Sequence, residues 1–224
     1  MPDRLALLFT KPARPGHVKT RLIGDLSAQQ AADLQVALLT DLTERLADGN
    51  FELRLAWAVA EPDQLPASCV PALRQSGDDL GERLYNALAA AAVESPSVAA
   101  IGSDHPELSS THLEQAFEAV ESRLADVVLG PTRDGGYYLF AAARHAVRRE
   151  IFAEVSWSTS AVLDETRERC AALSLRTHLL EPTSDVDTPE DLKRLTSALA
   201  EGSVVSPNTA ALLRSWGRLS GEEG

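Results

Sequence analysis

The sequence predicts an α/β fold with a mainly parallel central sheet and helices on both faces, and three observations predict it. Short apolar runs alternate along the chain with helical patterns of ten or more residues, and connections of that length are right-handed crossovers between parallel strands. The runs end at turn-forming residues, as Leu5 to Phe9 ends at Thr10-Lys11-Pro12, which marks them as buried strands rather than helix pieces. Finally, 224 residues with 44% apolar and 24% charged side chains are enough for one large core.

Arg4 to Phe9 reads as the first strand. Ser27-Ala28-Gln29-Gln30 has the Ser-x-x-Gln pattern of a capping box, and Leu34, Leu38, Leu42 and Leu46 follow at helical spacing up to Asp48-Gly49-Asn50. Leu53 to Val59 is a second strand, Leu80 to Val93 a helix of alanine and leucine, and Val98 to Gly102 a third strand. Thr111 to Leu124 is a helix with Leu113, Phe117, Val120 and Leu124 on one stripe. Asp126 to Leu129 and Tyr137 to Ala142 are further strands, Thr159 to Leu173 a helix, and Leu175 to Leu180 a last strand. A late helix over Pro189 to Leu199 starts with Thr188 as N-cap, Pro189 at its first position and Asp191 at its third. One domain is expected over 1–202. A C-terminal extension over 203–224 adds a short helix near Thr209 to Trp216 and a frayed tail from Ser220 to Gly224.

Composition excludes several classes of function. Twenty-one basic against thirty-three acidic residues leave a net charge of −12, which repels a polyanion over most of the surface and argues against nucleic-acid binding. No apolar run approaches the roughly 18–20 residues of a membrane span. The N-terminal run Leu5-Ala6-Leu7-Leu8-Phe9 is too short for a signal peptide, so the chain is expected in the cytoplasm. Cys69 and Cys170 stand far apart without a CxxC or Cys/His cluster, which indicates reduced thiols rather than a zinc site or disulfide. The five histidines show no ligand spacing and read mostly as surface residues, and no GxSxG elbow occurs.

Ligands of such sheets bind beyond the carboxyl ends of the strands, which draws attention to three loops. The first, Phe9 to Leu22, belongs to a stretch from Arg4 to Gly24 with five Lys or Arg and no Asp or Glu. It holds Lys11 and Lys19, two of only three lysines in the chain, together with Arg21. Lysine is a compact charge suited to phosphate oxygens, although a solvated basic loop fits the charge pattern as well. Val18 stands where a Walker A motif needs glycine, and no GxGxxG occurs. The second loop presents Asp104 in Ile101-Gly102-Ser103-Asp104-His105-Pro106, placed either to hold a divalent cation or to form an Asx turn. The third places Asp185 and Asp187 close together, which suits a shared cation or plain solvent exposure.

Three further segments read as ordinary structure that could also shape a site. Gly77 to Leu84 is a glycine-bounded turn with Gly81 at the start of a helix, whose amides can receive a base edge, ribose or phosphate. Asp134-Gly135-Gly136-Tyr137-Tyr138 is either a plain hairpin turn or a cradle for a sugar or acceptor. In Val155 to Ser160, Ser158 or Thr159 reads as a helix cap or as a ligand contact.

Together, Phe-Thr-Lys-Pro-x-x-Pro-Gly-x-Val-Lys-Thr-Arg-Leu at 9–22, Gly-Asp-Asp-Leu-Gly-Glu-Arg-Leu at 77–84, Gly-Ser-Asp-x-Pro at 102–106, Asp-Gly-Gly-Tyr-Tyr at 134–138 and Asp-Val-Asp-Thr-Pro-Glu-Asp-Leu at 185–192 resemble a bacterial glycosyltransferase-like family. That family has a GT-A, nucleotide-diphospho-sugar transferase fold, and some members are linked to arsenosugar biosynthesis. The Lys-Thr-Arg-Leu, Ser-Asp-x-Pro and Asp-Val-Asp-Thr-Pro elements are also similar to phosphoenolpyruvate and 2-phospholactate guanylyltransferases. The resemblance implies that Lys11, Lys19 and Arg21 neutralise phosphates and that Asp104 and Asp185 hold Mg2+ or Mn2+, with Asp187 a further candidate ligand from the third loop's own residues. Beside these, Thr10, Gly81, Gly135, Gly136, Tyr137 and Ser158 are the candidate nucleotide or substrate contacts from the segments read above. The Pro-Gly insertion between the lysines and the Asp-Gly-Gly-Tyr-Tyr segment depart from the guanylyltransferases, so their acceptor does not carry over.

The expected function is metal-dependent glycosyl transfer from a nucleotide-diphospho-sugar to a small acceptor. Two alternatives stand beside it. One is nucleotidyl transfer from a nucleoside triphosphate to a small phosphorylated acceptor, in which the same cations stabilise departing pyrophosphate. The other is a nucleotide-binding protein without turnover. No general base is evident in the sequence.

Overall fold

Strands β1 (Arg4–Thr10), β2 (Glu52–Trp57), β3 (Ala72–Arg74), β4 (Ser97–Gly102), β5 (Val127–Pro131), β6 (Tyr137–Ala143) and β7 (Thr177–Leu179) form one sheet in the order β3-β2-β1-β4-β6-β5-β7. The computed structural model describes residues 2–61 and 64–220. Among these, β6 alone runs against its neighbours, and the other pairings are parallel. Chain length explains the exception. Residues 132–136 joining β5 to β6 are too few for a crossover of a dozen or more residues, so the link must be a hairpin. The mainly parallel α/β sheet expected from the sequence is therefore what the chain forms.

The helices are α1 (Ala28–Leu46), α2 (Leu80–Glu94), α3 (Ser110–Glu121), α4 (Arg149–Phe152), α5 (Val162–Ala172), α6 (Pro189–Ala200) and α7 (Pro207–Ser215). The chain divides into two compact units. The first comprises residues 2–10, Asp48–Gly102 and Ser110–Thr183 and contains the whole sheet with α2, α3, α4 and α5. On one face, Leu5, Leu7, Val98, Ala100 and Phe140 pack against Leu84 and Leu88 of α2, Ile151 and Phe152 of α4, and Cys170 of α5. Side chains alternate along a strand, so Ala6 and Leu8, also fully buried, point to the other face. Leu113, Phe117 and Val120 of α3 take no part in the α2 cluster; that helix packs on β4, β5 and β6 with its own buried stripe.

The second unit comprises Lys11–Ala47, Ser103–Ser109 and residues 184–220. Its core joins Leu22 and Leu26, Leu34 and Leu38 of α1, Val186, Leu192 and Leu195 of α6, and Ala210 and Leu213 of α7. The capping box read at Ser27 is formed, Gln30 N donating to Ser27 Oγ at 3.1 Å, and the Thr188 N-cap read from the sequence proves to be a second one, Asp191 N donating to Thr188 Oγ1 at 3.3 Å.

Several local expectations are corrected. Strand β3 and helix α4 were not foreseen, because three and four residues are too short to show a period. Leu124 is not on the α3 stripe. That helix stops at Glu121, Arg123 turns through φ 61°, and Leu124 is left 61% exposed. Neither Ser158 nor Thr159 caps α5; Ala161 holds that position without a side-chain bond, and Thr159 Oγ1 accepts from Ala161 N at 3.3 Å just outside. The late helix near Thr209 to Trp216 is α7, whereas 221–224 of the expected tail lie outside the described residues. No helix among the described residues is long and apolar enough to cross a membrane.

Candidate functional site

Three separate stretches of the second unit meet at one ammonium group. After Pro15 and Gly16, the chain buries Val18, and Lys19 adopts a left-handed backbone, φ 46° and ψ 43°, before a 3-10 turn at Thr20–Leu22. A non-glycine residue rarely takes that conformation without a reason. The reason here is its side chain, 2% exposed, whose Nζ donates to Asp104 Oδ1 at 2.9 Å and to the Val186 carbonyl at 2.7 Å. Val186 N in turn donates to the Asp104 carbonyl at 3.1 Å. Thus the segments carrying Asp104 and Asp185 lie side by side, bolted by Lys19, with Val186 fixed in the unit's core.

The Asp104 carboxyl titrates below the ordinary carboxylate range. Its burial, the largest influence, opposes ionisation, but the Lys19 ammonium outweighs it by charge and hydrogen bond, with His105 and Lys11 assisting. Asp104 therefore presents an ionised, partly exposed carboxylate. Lys11 is exposed, and so is Arg21, whose Nη1 donates to Asp187 Oδ2 at 3.0 Å. Asp191 Oδ2 receives the amides of Asp187 and Thr188, tying the third loop to the first turn of α6. His105, 7% exposed, is the buried exception among histidines that read mostly as surface residues, with His17, His145 and His178 exposed.

Asp104 and Asp185 carry carboxylate oxygens on adjacent segments, a donor type that suits a hard divalent cation. Asp187 faces Arg21 instead. Among the described residues, no three histidine, cysteine or carboxylate groups converge on one point. Mg2+ held by one or two carboxylates plus substrate phosphates does not need such a cage.

The first unit holds the other candidates. Thr10 ends β1, 4% exposed, and its Oγ1 is buried without a hydrogen bond, while its carbonyl accepts from Gln75 Nε2 at 3.3 Å. A Cβ on Gly81 would strike the Phe152 carbonyl and the Trp157 indole, so α2 packs there at backbone distance. Gly135, at φ 92°, lies equally close to the Ser160 backbone, and its carbonyl accepts from Leu163 N at 2.9 Å. Gly136 N donates to Asp134 Oδ1 at 3.2 Å. Tyr137 turns inward, its ring 6.3 Å from both Phe140 and Trp157, and burial pushes its hydroxyl pKa well up. Ser158 is exposed at φ 65°. Trp157 thus links Gly81 and Tyr137, and Ser160 contacts Gly135.

Sequence reasoning missed Gln35 and Arg45 of α1, which bond to the segment around Asp104. The available signal was polar residues bordering the Leu34, Leu38, Leu42 and Leu46 stripe.

A bacterial family described as "Uncharacterized protein conserved in bacteria (DUF2064)" matches residues 25–159. A search of curated proteins finds no match. Among solved structures, a candidate nucleotide-diphospho-sugar transferase from Desulfovibrio desulfuricans G20 is 28% identical, with a TM-score of 0.88 over 96% of this chain and 95% of that one. A cytidylyltransferase from Leptospira borgpetersenii is 12% identical, with a TM-score of 0.60 over 97% and 95% of the two chains. CMP:2-keto-3-deoxy-manno-octonic acid synthetase complexed with CTP is 13% identical, with a TM-score of 0.57 over 89% and 99%. These last two share the fold. The chain has the nucleotide-diphospho-sugar transferase fold, as expected from its sequence.

Proposed function

Because the chain belongs to the bacterial DUF2064 family and has this transferase fold, we propose that it is a metal-dependent glycosyltransferase-like enzyme using a nucleotide-diphospho-sugar donor and a small acceptor. The observation that carries the proposal is the junction of Lys19, Asp104 and Val186, which brings an ionised carboxylate to the segment bearing Asp185 in the unit that holds Lys11 and Arg21. Glycosyl transfer from such a donor leaves negative charge on a diphosphate, and fixed cations aimed at that charge lower the barrier. Lys11 and Arg21 are the exposed cations for this task. Lys19 fixes Asp104 in place and offers its remaining donor capacity.

Asp104 and Asp185 would hold Mg2+ or Mn2+, which would neutralise phosphate charge as it develops. In the first unit, Thr10, Gly81, Gly135, Gly136 and Ser158 are the candidates for nucleoside or sugar contacts, with Tyr137 acting from inside by packing on Trp157. A second reading, nucleotidyl transfer with pyrophosphate as leaving group, is favoured by the similar fold of the cytidylyltransferase, and the same basic residues would serve it.

The experiment is to incubate the protein with Mg2+ or Mn2+ and a panel of nucleotide sugars and nucleoside triphosphates. Nucleoside diphosphate release is expected for glycosyl transfer and pyrophosphate release for the second reading. Neither release nor metal-dependent nucleotide binding would reject both. Asp104→Asn is expected to abolish metal-dependent nucleotide binding, and an unchanged affinity would remove Asp104 from the role.

A further inference from the structure

The proposed function gives Arg45 no role, yet it makes more side-chain bonds than any other cation of the second unit's described residues. From α1, its Nη1 donates to the carbonyls of Pro106 at 2.7 Å and Leu108 at 2.9 Å. Its Nη2 donates to the Val205 carbonyl at 2.6 Å and to Ser206 Oγ at 2.7 Å. Ten residues earlier on the same helix, Gln35, 4% exposed, donates from Nε2 to Ser103 Oγ at 3.2 Å. Helical rise puts these two grips roughly 15 Å apart on one rigid rod. The short segment Ser103–Ser109 is therefore held near both ends, and Asp104 lies between the grips.

The chemistry of Arg45 is unusual for a residue that merely adds stability. Burial pulls its pKa below the ordinary arginine value, with the Asp41 charge opposing, and the four oxygens that accept from it are neutral. Holding a half-buried cation on neutral acceptors carries a desolvation cost, which the hydrogen bonds it makes must offset. What the guanidinium adds is a planar fork with fixed donor directions. Its second edge is completed by the chain leading into α7. That helix is in turn capped by Asp41, which accepts from the amides of Asn208 and Thr209, both at 2.8 Å, and from Thr209 Oγ1 at 2.6 Å.

We infer that Arg45, seconded by Gln35, is a positioning residue that sets the Asp104 segment, and that it makes the C-terminal helix α7 part of the support of that segment. The ligand-binding half of this inference rests on the proposed function; the mechanical half does not.

The test uses the full chain and two readouts. Amide exchange by NMR follows Leu108 N, which donates to the His105 carbonyl, and Val186 N, which donates to the Asp104 carbonyl. Calorimetry follows Mn2+ together with inorganic pyrophosphate. In Arg45→Met, both amides are expected to exchange at least about tenfold faster while α2 amides keep their rates, and Mn2+–pyrophosphate affinity is expected to fall about tenfold. Arg45→Lys keeps the charge without the fork and should fall between wild type and Arg45→Met. Gln35→Met, near in shape, removes only the Ser103 grip and carries the test should Arg45→Met fail to fold. Wild-type exchange at Leu108 and Val186 in these variants would overturn the inference. So would faster exchange with unchanged affinity. A wild-type protein that does not bind Mn2+–pyrophosphate would overturn the proposed function and the ligand-binding half together, while the exchange rates would still decide whether Arg45 holds the segment.

Discussion

Lys11 and Lys19 look alike in the sequence, where both are cations on one basic loop, but the structure separates them. Lys19 is sequestered against Asp104 and Val186, whereas Lys11 is exposed. The difference arises from a left-handed turn at Lys19 that no residue pattern announces, since glycine, not lysine, is the usual sign of that conformation. Lys19→Met would leave the Val186 carbonyl and one Asp104 oxygen without their donor. We expect it to destabilise the chain by about 1–3 kcal/mol in urea unfolding, a range lowered by the partial exposure of Asp104. Lys11→Met should stay within about 0.5 kcal/mol of wild type and should weaken pyrophosphate binding instead. Equal stability losses in the two variants would contradict this division of labour. A second residue-scale prediction concerns acid. Asp126 is held down at about 2 by hydrogen bonds from the Arg176 side chain and backbone, opposed by burial. The folded value lies below the unfolded one of about 3.9. The resulting stability is therefore complete above about pH 4 and fades as pH falls toward 2, and is on the order of 1 kcal/mol after allowance for the exposed Arg176 partner. Asp126→Asn should lower the urea midpoint at pH 6 and should lose much of that deficit near pH 2.5.

Elements were legible where their signals are local. The residues of the Ser27 capping box, of the Thr188-Pro189 helix start and of the leucine spacing of α1 each lie within a few positions of one another, so each signal could be read directly. By contrast, α5 starts at Val162 without a side-chain cap, and β3 exists because β2 offers it an edge to pair with. Gly81 shows how a local signal can be read correctly and explained incompletely. A glycine at the start of a helix suggests an open N-terminus for a ligand, but here its missing side chain also makes room for the Phe152 carbonyl and Trp157. Gly81→Ala would force α2 away from that contact. Overpacking of this kind costs about 1–3 kcal/mol, and Trp157 fluorescence should shift as the indole is displaced. An alanine variant with wild-type stability and emission would show that the contact is soft and leave ligand access as the reason for the glycine.

At the scale of the whole molecule, each unit is assembled from three stretches that are distant in the sequence, and this is what the sequence concealed. Asp41 and Thr209 are 168 positions apart, yet they form one of the second unit's buried polar contacts. No periodicity connects them, so residues 203–224 read as an extension. In the structure, Ala210, Leu213 and Leu219 share a core with α1 and α6. Truncation after Gly202 would remove this apolar surface and leave Asp41, 3% exposed, without the donors from Asn208 and Thr209. The lost hydrogen bonds to the Asp41 carboxylate together cost about 3–5 kcal/mol, water replacing them in part. Adding the lost Leu213 and Leu219 burial, at about 1.5–3 kcal/mol each, brings the total to about 6–11 kcal/mol. That matches the entire stability of a typical domain, about 5–15 kcal/mol. The truncated chain is therefore expected to lose the near-ultraviolet circular dichroism signal and the cooperative urea transition of the intact protein. Thr209→Val, which deletes one hydroxyl donor while keeping the helix, should cost only about 1–3 kcal/mol. A truncated chain that unfolds cooperatively near the wild-type midpoint would show that α7 adds nothing the rest of the unit needs, and would remove the basis for linking this helix to the Asp104 segment.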